Sequence, residues 1–284
     1  MNRVKMKIAQ LVEQKTIHLN RYYHFTELMR DPTVVGSLLR YQSDYDGTTQ
    51  SIFILEPTGK KFKRIFFFFH GMDGDAGDGV VVRELVTKLN AQVICMGGRG
   101  PAWISDAFLA DAEQVISKYS GNSEGYYMIG ISMGGSQVLA LPGLLPQESR
   151  IHKAIRGIIA LTPGSNLLSI VTKSAHQRVR DTLRASVNGN ISKLQQRSPN
   201  QLIDQYPSKL PFVIFYNGND QLLLTNELKV FIQDLHHKGH PVSTFSAPGN
   251  HNFTYRNFDY EAVFKELGKD STVTKKPPLL KEES

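Results

Sequence analysis

The stretch Tyr126 to Gly135 restricts the possible folds of this 284-residue chain more than any other. An apolar run, Tyr126-Tyr127-Met128-Ile129, leads directly into Gly130-Ile131-Ser132-Met133-Gly134. Glycines two places before and two places after a serine allow a sharp turn from strand to helix, because a β-carbon at either place would collide with neighbouring backbone. The serine hydroxyl is left at the tip of that turn. A strand that passes into a helix in this way belongs to a chain of alternating strands and helices.

The rest of the chain repeats that alternation from Asp46-Gly47 onward. Gln50 to Glu56 and the run Arg64 to Phe69, apolar from Ile65 onward, read as strands, the second of the kind buried on both faces of a parallel sheet. Val82, Leu85, Val86 and Leu89 form a helical stripe ahead of a short strand, Val93 to Met96. Phe108, Ala112, Val115, Ile116 and Tyr119 form another ahead of the strand at Tyr126. Beyond the serine, strands are expected at Ile155 to Leu161, Phe212 to Tyr216 and Val242 to Ala247. Helical stripes run through Leu228 to Leu235 and Tyr260 to Leu267.

This order predicts one α/β domain over 49–268, with a mostly parallel central sheet flanked by helices. Residues 164–210 break the alternation, being polar and basic with helical stretches and no clear strand, and are read as a small cap-like helical insertion over the sheet edge. Residues 1–48 are expected to be a helical extension, and 269–284, which lack periodicity, a disordered tail.

Composition excludes several classes of function. With 40% hydrophobic and 21% charged residues the chain has the makings of a packed core, and it has no apolar run long enough to span a bilayer. The formal charge of +7 comes from basic residues scattered among acidic ones without a nucleic-acid-binding motif, so no nucleic-acid partner is expected. The single cysteine, Cys95, lies in an apolar run and has no internal disulfide partner. With no apolar signal segment after Lys5 and Lys7, a cytoplasmic location is expected. Val4, Ile8, Leu11 and Val12 beside Arg3, Lys5 and Lys7 make a short basic amphipathic stripe. A helix that covers the domain or pairs with a second chain is favoured over contact with a membrane. Oligomeric state is not encoded in any motif.

A serine hydroxyl is a poor nucleophile unless a base removes its proton, and the base needs an acid to orient it. Asp220 follows the strand Phe212 to Tyr216 in the turn Asn217-Gly218-Asn219-Asp220, and His251 follows the strand Val242 to Ala247 in Pro248-Gly249-Asn250-His251. Each therefore falls just past the carboxyl end of a strand, the edge where open α/β sheets hold their ligands. Ser132, Asp220 and His251 are the expected catalytic residues. Donors for a developing oxyanion are expected from the backbone N–H of Met133, next to the serine, and of Met72 in His70-Gly71-Met72-Asp73-Gly74. Gly71 lets that loop approach the substrate, and Trp103 is a candidate pocket wall or, equally, a core residue. Asp73, Asp75 and Asp78 read chiefly as turn residues. No metal or nucleotide site is expected: there is no H-E-x-x-H, paired-cysteine, G-x-G-x-x-G or G-K-[ST] pattern.

His70-Gly71, Arg99-Gly100, Gly130 to Gly135, Arg197-Ser198-Pro199, and the Asp220 and His251 turns together resemble the α/β-hydrolase superfamily over roughly Gln50 to Leu267. The likeness is greatest to its esterase and prolyl-oligopeptidase-type catalytic domains. The resemblance implies a cofactor-free serine esterase acting on a small-molecule ester through an acyl-enzyme. Thioester, lactone or short-peptide hydrolysis on the same three residues is the alternative within that chemistry, and a non-catalytic binding protein on the same scaffold the alternative outside it. Arg178, Arg180, Arg184, Lys193 and Arg197 suggest a preference for substrates bearing a carboxylate or phosphate.

Overall fold

The computed structural model describes residues 28, 30–121, 125–251, 259–267 and 274–275. Among the described residues, the first strands are the long β1 (Val34–Gln42) and β2 (Thr49–Pro57), paired antiparallel along their full length. β3 (Arg64–Phe69), helix α1 (Glu84–Leu89), β4 (Ala91–Met96), helix α2 (Asp106–Tyr119), β5 (Tyr126–Ile131) and helix α3 (Met133–Leu144) follow. The short helix α4 (Arg150–Lys153) leads to β6 (Ile155–Leu161). The insertion carries α5 (Leu167–Lys173), α6 (Gln177–Ala185) and α7 (Ile191–Arg197). After it come β7 (Phe212–Asn217), α8 (Thr225–His237), β8 (Val242–Ala247), α9 (Tyr260–Glu266) and β9 (Thr274–Lys275).

These strands form one sheet in the order β1-β2-β4-β3-β5-β6-β7-β8-β9. β2 is antiparallel to both β1 and β4, and every other pairing is parallel. The sheet is therefore mostly parallel, as expected. β3 lies inside it between β4 and β5, and its residues Phe66 to Phe69 are all buried. Successive side chains of a strand point to opposite faces. Phe67 and Phe69 accordingly pack edge-on against Tyr126 and Phe108 at 5.2 and 5.9 Å on one face. Phe66 stacks on Tyr127 at 5.0 Å on the other. Burial of each such ring contributes roughly 1.5–3 kcal/mol. Helix α3 is buried along almost its whole length, which is why its sequence is apolar on every side rather than striped.

Two expectations are corrected. The helical extension assigned to 1–48 does not hold for Val34–Gln42, which is the edge strand β1. An edge strand packs against the body of the protein less than a central one, so Val35, Leu38 and Leu39 stay exposed and the period-two pattern that marks a half-buried strand is absent. The featureless tail assigned to 269–284 is also interrupted, because Thr274–Lys275 pair parallel with Thr244–Phe245 of β8. The amphipathic stripe at Val4 to Val12 lies outside the described residues. Among those described, no helix is long and apolar enough to cross a membrane.

The loop between α8 and β8 holds a pH-sensitive contact. His240 is buried edge-on against Phe212 at 5.6 Å, and its Nδ1–H donates to the Leu210 carbonyl at 3.1 Å. Burial disfavours the imidazolium and lowers the pKa of His240 below its usual 6.5, outweighing the hydrogen bond, which acts in the opposite direction. The unfolded chain then binds more protons than the folded one between the folded-state value and about 6.5, so stability rises with pH across that window and is lost on acidification. The urea midpoint of the wild type should fall from pH 7.5 to pH 5 more steeply than that of His240→Phe. Parallel slopes would remove His240 as the cause.

Candidate active site

Ser132 stands between β5 and α3 with φ 56° and ψ −114°, a region that L-residues rarely occupy. The conformation is held from both sides. The Ser132 N–H donates to the Leu161 carbonyl of β6 at 2.8 Å, and the Ser132 carbonyl accepts from the Ser136 N–H at 3.0 Å. The flanking glycines are required by contact as well as by conformation. A β-carbon on Gly130 would sit 2.1 Å from the Gly134 carbonyl oxygen, and one on Gly134 would sit 2.1 Å from that of Phe69. Both obstacles are backbone and have no room to yield, so β5, α3 and the end of β3 close together only over glycine.

The expected acid and base arrive from the next two loops. Gly218 N–H donates to the Ala247 carbonyl at 2.9 Å and Asn219 N–H to the Gly249 carbonyl at 3.1 Å, so the turns after β7 and β8 run side by side. His251 Nδ1 lies 2.7 Å from Asp220 Oδ2, and His251 Nε2 lies 2.7 Å from Ser132 Oγ. The other carboxylate oxygen of the buried Asp220 accepts from the N–H groups of Leu222 and Leu223 at 2.8 and 3.1 Å. The carboxylate fixes the direction of the first bond and, for a neutral ring, that of the second. A carboxylate only accepts, so Nδ1 carries the proton and donates to Asp220, and Nε2 of the neutral ring is left as the acceptor for the serine hydroxyl. Such a chain can move the hydroxyl proton onto the imidazole while the carboxylate stabilises the resulting charge.

Gly71 lies against the serine, since a β-carbon built on it would be 3.7 Å from Ser132 Cβ. Its neighbour His70 is buried with Nδ1 2.6 Å from the Gly71 carbonyl and Nε2 2.9 Å from that of Gly97, spanning the loops after β3 and β4. Met133 opens α3, and Met72 packs partly buried against the core. Asp75 caps the turn at Ala76–Val82 by accepting from the Gly77 N–H, and Asp73 pairs with Arg178 of the insertion. Among the described residues no group of three or more His, Cys, Asp or Glu is arranged to hold a metal ion.

No protein-family model and no curated protein sequence matches the chain. Solved structures do. FphF, a fluorophosphonate-binding serine hydrolase of Staphylococcus aureus, superposes with a TM-score of 0.62 at 17% identity, over 82% of this chain and 97% of its own. Esterase B of Lactobacillus rhamnosis superposes with a TM-score of 0.62 at 13% identity, over 86% and 83%. The acylaminoacyl peptidase of Pyrococcus horikoshii gives 0.63 at 15%, over 82% of this chain but only 40% of that larger protein.

The chain has the α/β-hydrolase fold. In this α/β-hydrolase fold the insertion between β6 and β7 supplies α5, α6 and α7, and α6 lies against the loop that follows β3. Of the two readings of Trp103, pocket wall and core, its burial fits the core one. Its side chain is 1% exposed, and its indole N–H donates to Thr182 Oγ1 of α6 at 3.0 Å. The basic side chains of the insertion are also less available than their number suggests. Arg178 pairs with Asp73, Lys193 and Arg197 both pair with Asp106, and Arg180 donates to the Ser174 carbonyl and to Gln177. The Arg197 guanidinium also donates to the Ile104 carbonyl at 2.8 Å, so this charge fastens the insertion to the body of the α/β-hydrolase fold. Its lysine and arginine partners hold the Asp106 carboxyl below the usual carboxylate range.

Thr182 is a contributor to this region that the linear sequence does not single out, and Arg178 stands out there only as one of the basic side chains of the insertion. They lie more than a hundred residues from Met72 and Asp73, and no short motif links them.

Proposed function

We propose that the protein is a serine hydrolase that cleaves a carboxylic ester through an acyl-enzyme, with Ser132 as nucleophile, His251 as general base and then general acid, and Asp220 as the orienting carboxylate. The observation that carries this reading is the hydrogen-bond chain from Ser132 Oγ to His251 Nε2 and from Nδ1 to Asp220, each link 2.7 Å. A non-catalytic protein on this scaffold has no need to keep all three groups in register. The names of the structural neighbours, an esterase and a serine hydrolase that binds fluorophosphonates, agree with it.

In the proposed reaction Ser132 Oγ bonds to the ester carbonyl carbon as its proton passes to His251 Nε2. The carbonyl oxygen becomes an oxyanion, received by the backbone N–H groups of Met72 and Met133. Collapse of that adduct breaks the bond to the alkoxy oxygen, and the imidazolium returns the proton to the leaving alcohol. Water, deprotonated by the same nitrogen, then attacks the acyl-serine, and the acid is released with Ser132 regenerated. The substrate is accordingly a small acyl donor whose carbonyl can reach the strip between Gly71 and Ser132. The pairing of Arg178, Lys193 and Arg197 with Asp73 and Asp106 argues against a strong anionic preference carried by those three side chains.

A fluorophosphonate probe should label the folded protein at Ser132, and matched esters, thioesters and short peptides should be turned over with the ester fastest. Folded protein that stays unlabelled would favour the non-catalytic reading, and a faster thioester or peptide would reassign the substrate class while leaving the three residues in their roles.

A further inference from the structure

Helix α6 touches the loop after β3 at two consecutive residues. Thr182 Oγ1 lies 3.2 Å from Met72 Sδ, and Arg178, one turn earlier on the same helix, pairs with Asp73. The Thr182 hydroxyl accepts the indole N–H of Trp103 at 3.0 Å, and its one hydrogen has Met72 Sδ, the Arg178 carbonyl at 2.8 Å and the Val179 carbonyl at 3.2 Å as alternative acceptors. The chain of contacts continues, because the Trp103 carbonyl accepts from Gln137 Nε2 at 2.6 Å, and Gln137 stands on α3, the helix that Met133 begins. Trp103 is held at φ 45°, a conformation in which a bulky residue persists only when its surroundings over-determine it. Its carbonyl is bound to α3 and its ring to α6, so both ends of the residue are fixed.

We propose that Thr182 and Arg178 are positioning residues, which set the loop carrying Met72 against the start of α3 and so fix the separation of the two amides assigned to the oxyanion. This inference rests on the hydrolase reading for its catalytic consequence, though not for its structural one. The insertion is then part of the reaction machinery as well as a cover. An oxyanion hole works by donors already in place when charge develops, and a displacement of about 1 Å costs on the order of a hundredfold in rate.

The test compares Thr182→Val, which keeps the shape and removes the hydroxyl, with Thr182→Ser, which keeps the hydroxyl. Thr182→Val should lower kcat about tenfold with KM within about twofold, because the amides act on the transition state and not on the bound ester. Thr182→Ser should stay close to wild type, and Arg178→Gln should lower kcat about threefold, in keeping with an exposed pair that contributes little. Amide hydrogen exchange over 71–74 should quicken in Thr182→Val and not in Thr182→Ser, and this readout does not depend on turnover. Because Thr182→Val leaves the buried indole N–H without a partner, the double variant Trp103→Phe, Thr182→Val serves if the single one unfolds, and it too should show quickened exchange and reduced kcat.

Quickened exchange in Thr182→Val, when the wild type turns over no ester, thioester or peptide and takes no fluorophosphonate label, would uphold the positioning role and remove the hydrolase reading. Wild-type kcat and exchange in Thr182→Val, or a rise in KM with kcat unchanged, would overturn the proposal.

Discussion

Replacing Ser132 by alanine should lower kcat by about a million-fold, the loss typical when the nucleophile of such a chain of residues is removed. The fold should survive unchanged. The only side-chain partner of Ser132 Oγ among the described residues is His251 Nε2, and the backbone bonds from Ser132 to Leu161 and Ser136 do not involve the hydroxyl. Alanine also tolerates φ 56° no better than serine, so the strain at the turn is the same in both proteins. The thermal midpoint should therefore stay within a few degrees of wild type, while fluorophosphonate labelling disappears. Ester turnover within tenfold of wild type in this variant would show that the reaction, if any, is carried elsewhere.

The second large effect is expected from Asp220→Asn, at about ten thousand-fold in kcat. The size follows from what surrounds the carboxylate. One oxygen of Asp220 already accepts from the Leu222 and Leu223 N–H groups, and only an oxygen can fill that place. The asparagine must keep its carbonyl there and turn its amide nitrogen toward His251. An NH2 group facing Nδ1 demands a lone pair on that nitrogen, which moves the ring proton to Nε2. The imidazole then has no lone pair to offer the serine hydroxyl. The residue is nearly isosteric, so folding and KM should change little, and the loss should appear in kcat and in the rate of phosphonate labelling alike. A loss of less than about tenfold would mean that Asp220 is only a turn residue, the other reading its Asn-Gly-Asn-Asp context allows.

Much of the site was legible because its parts are tied to local rules. The glycines at 130 and 134 mark the turn, since no other residue fits 2.1 Å from a carbonyl oxygen. Asp220 and His251 stand in glycine- and asparagine-rich turns that end recognisable strands, and parallel strands deliver such turns to a common edge. The strands Arg64–Phe69, Ile155–Leu161 and Val242–Ala247 carry the bounds expected of them, because each is a short segment rich in apolar and β-branched residues. β1 was not legible, since Val34–Gln42 lies at the sheet edge and gains its identity from pairing with Thr49–Pro57.

Trp103 shows the same limit within the site region. A lone tryptophan beside Gly98-Arg99-Gly100-Pro101 suits a pocket wall and a core equally, and only its bonds to Thr182 and Gln137 distinguish the two.

By itself, then, the sequence determined the strand–turn–helix at Ser132, the α/β alternation around it and the order in which a serine, an acid and a base leave the sheet, because each depends on residues within a few positions of one another. Only the tertiary structure decided that Nε2 of His251 faces Ser132 Oγ, that Arg178, Lys193 and Arg197 of the insertion pair with Asp73 and Asp106, and that Thr182 touches Met72. Those outcomes depend on pairs separated by thirty to more than a hundred residues, whose approach is set by packing of the whole sheet and leaves no mark on either partner's neighbours in the chain.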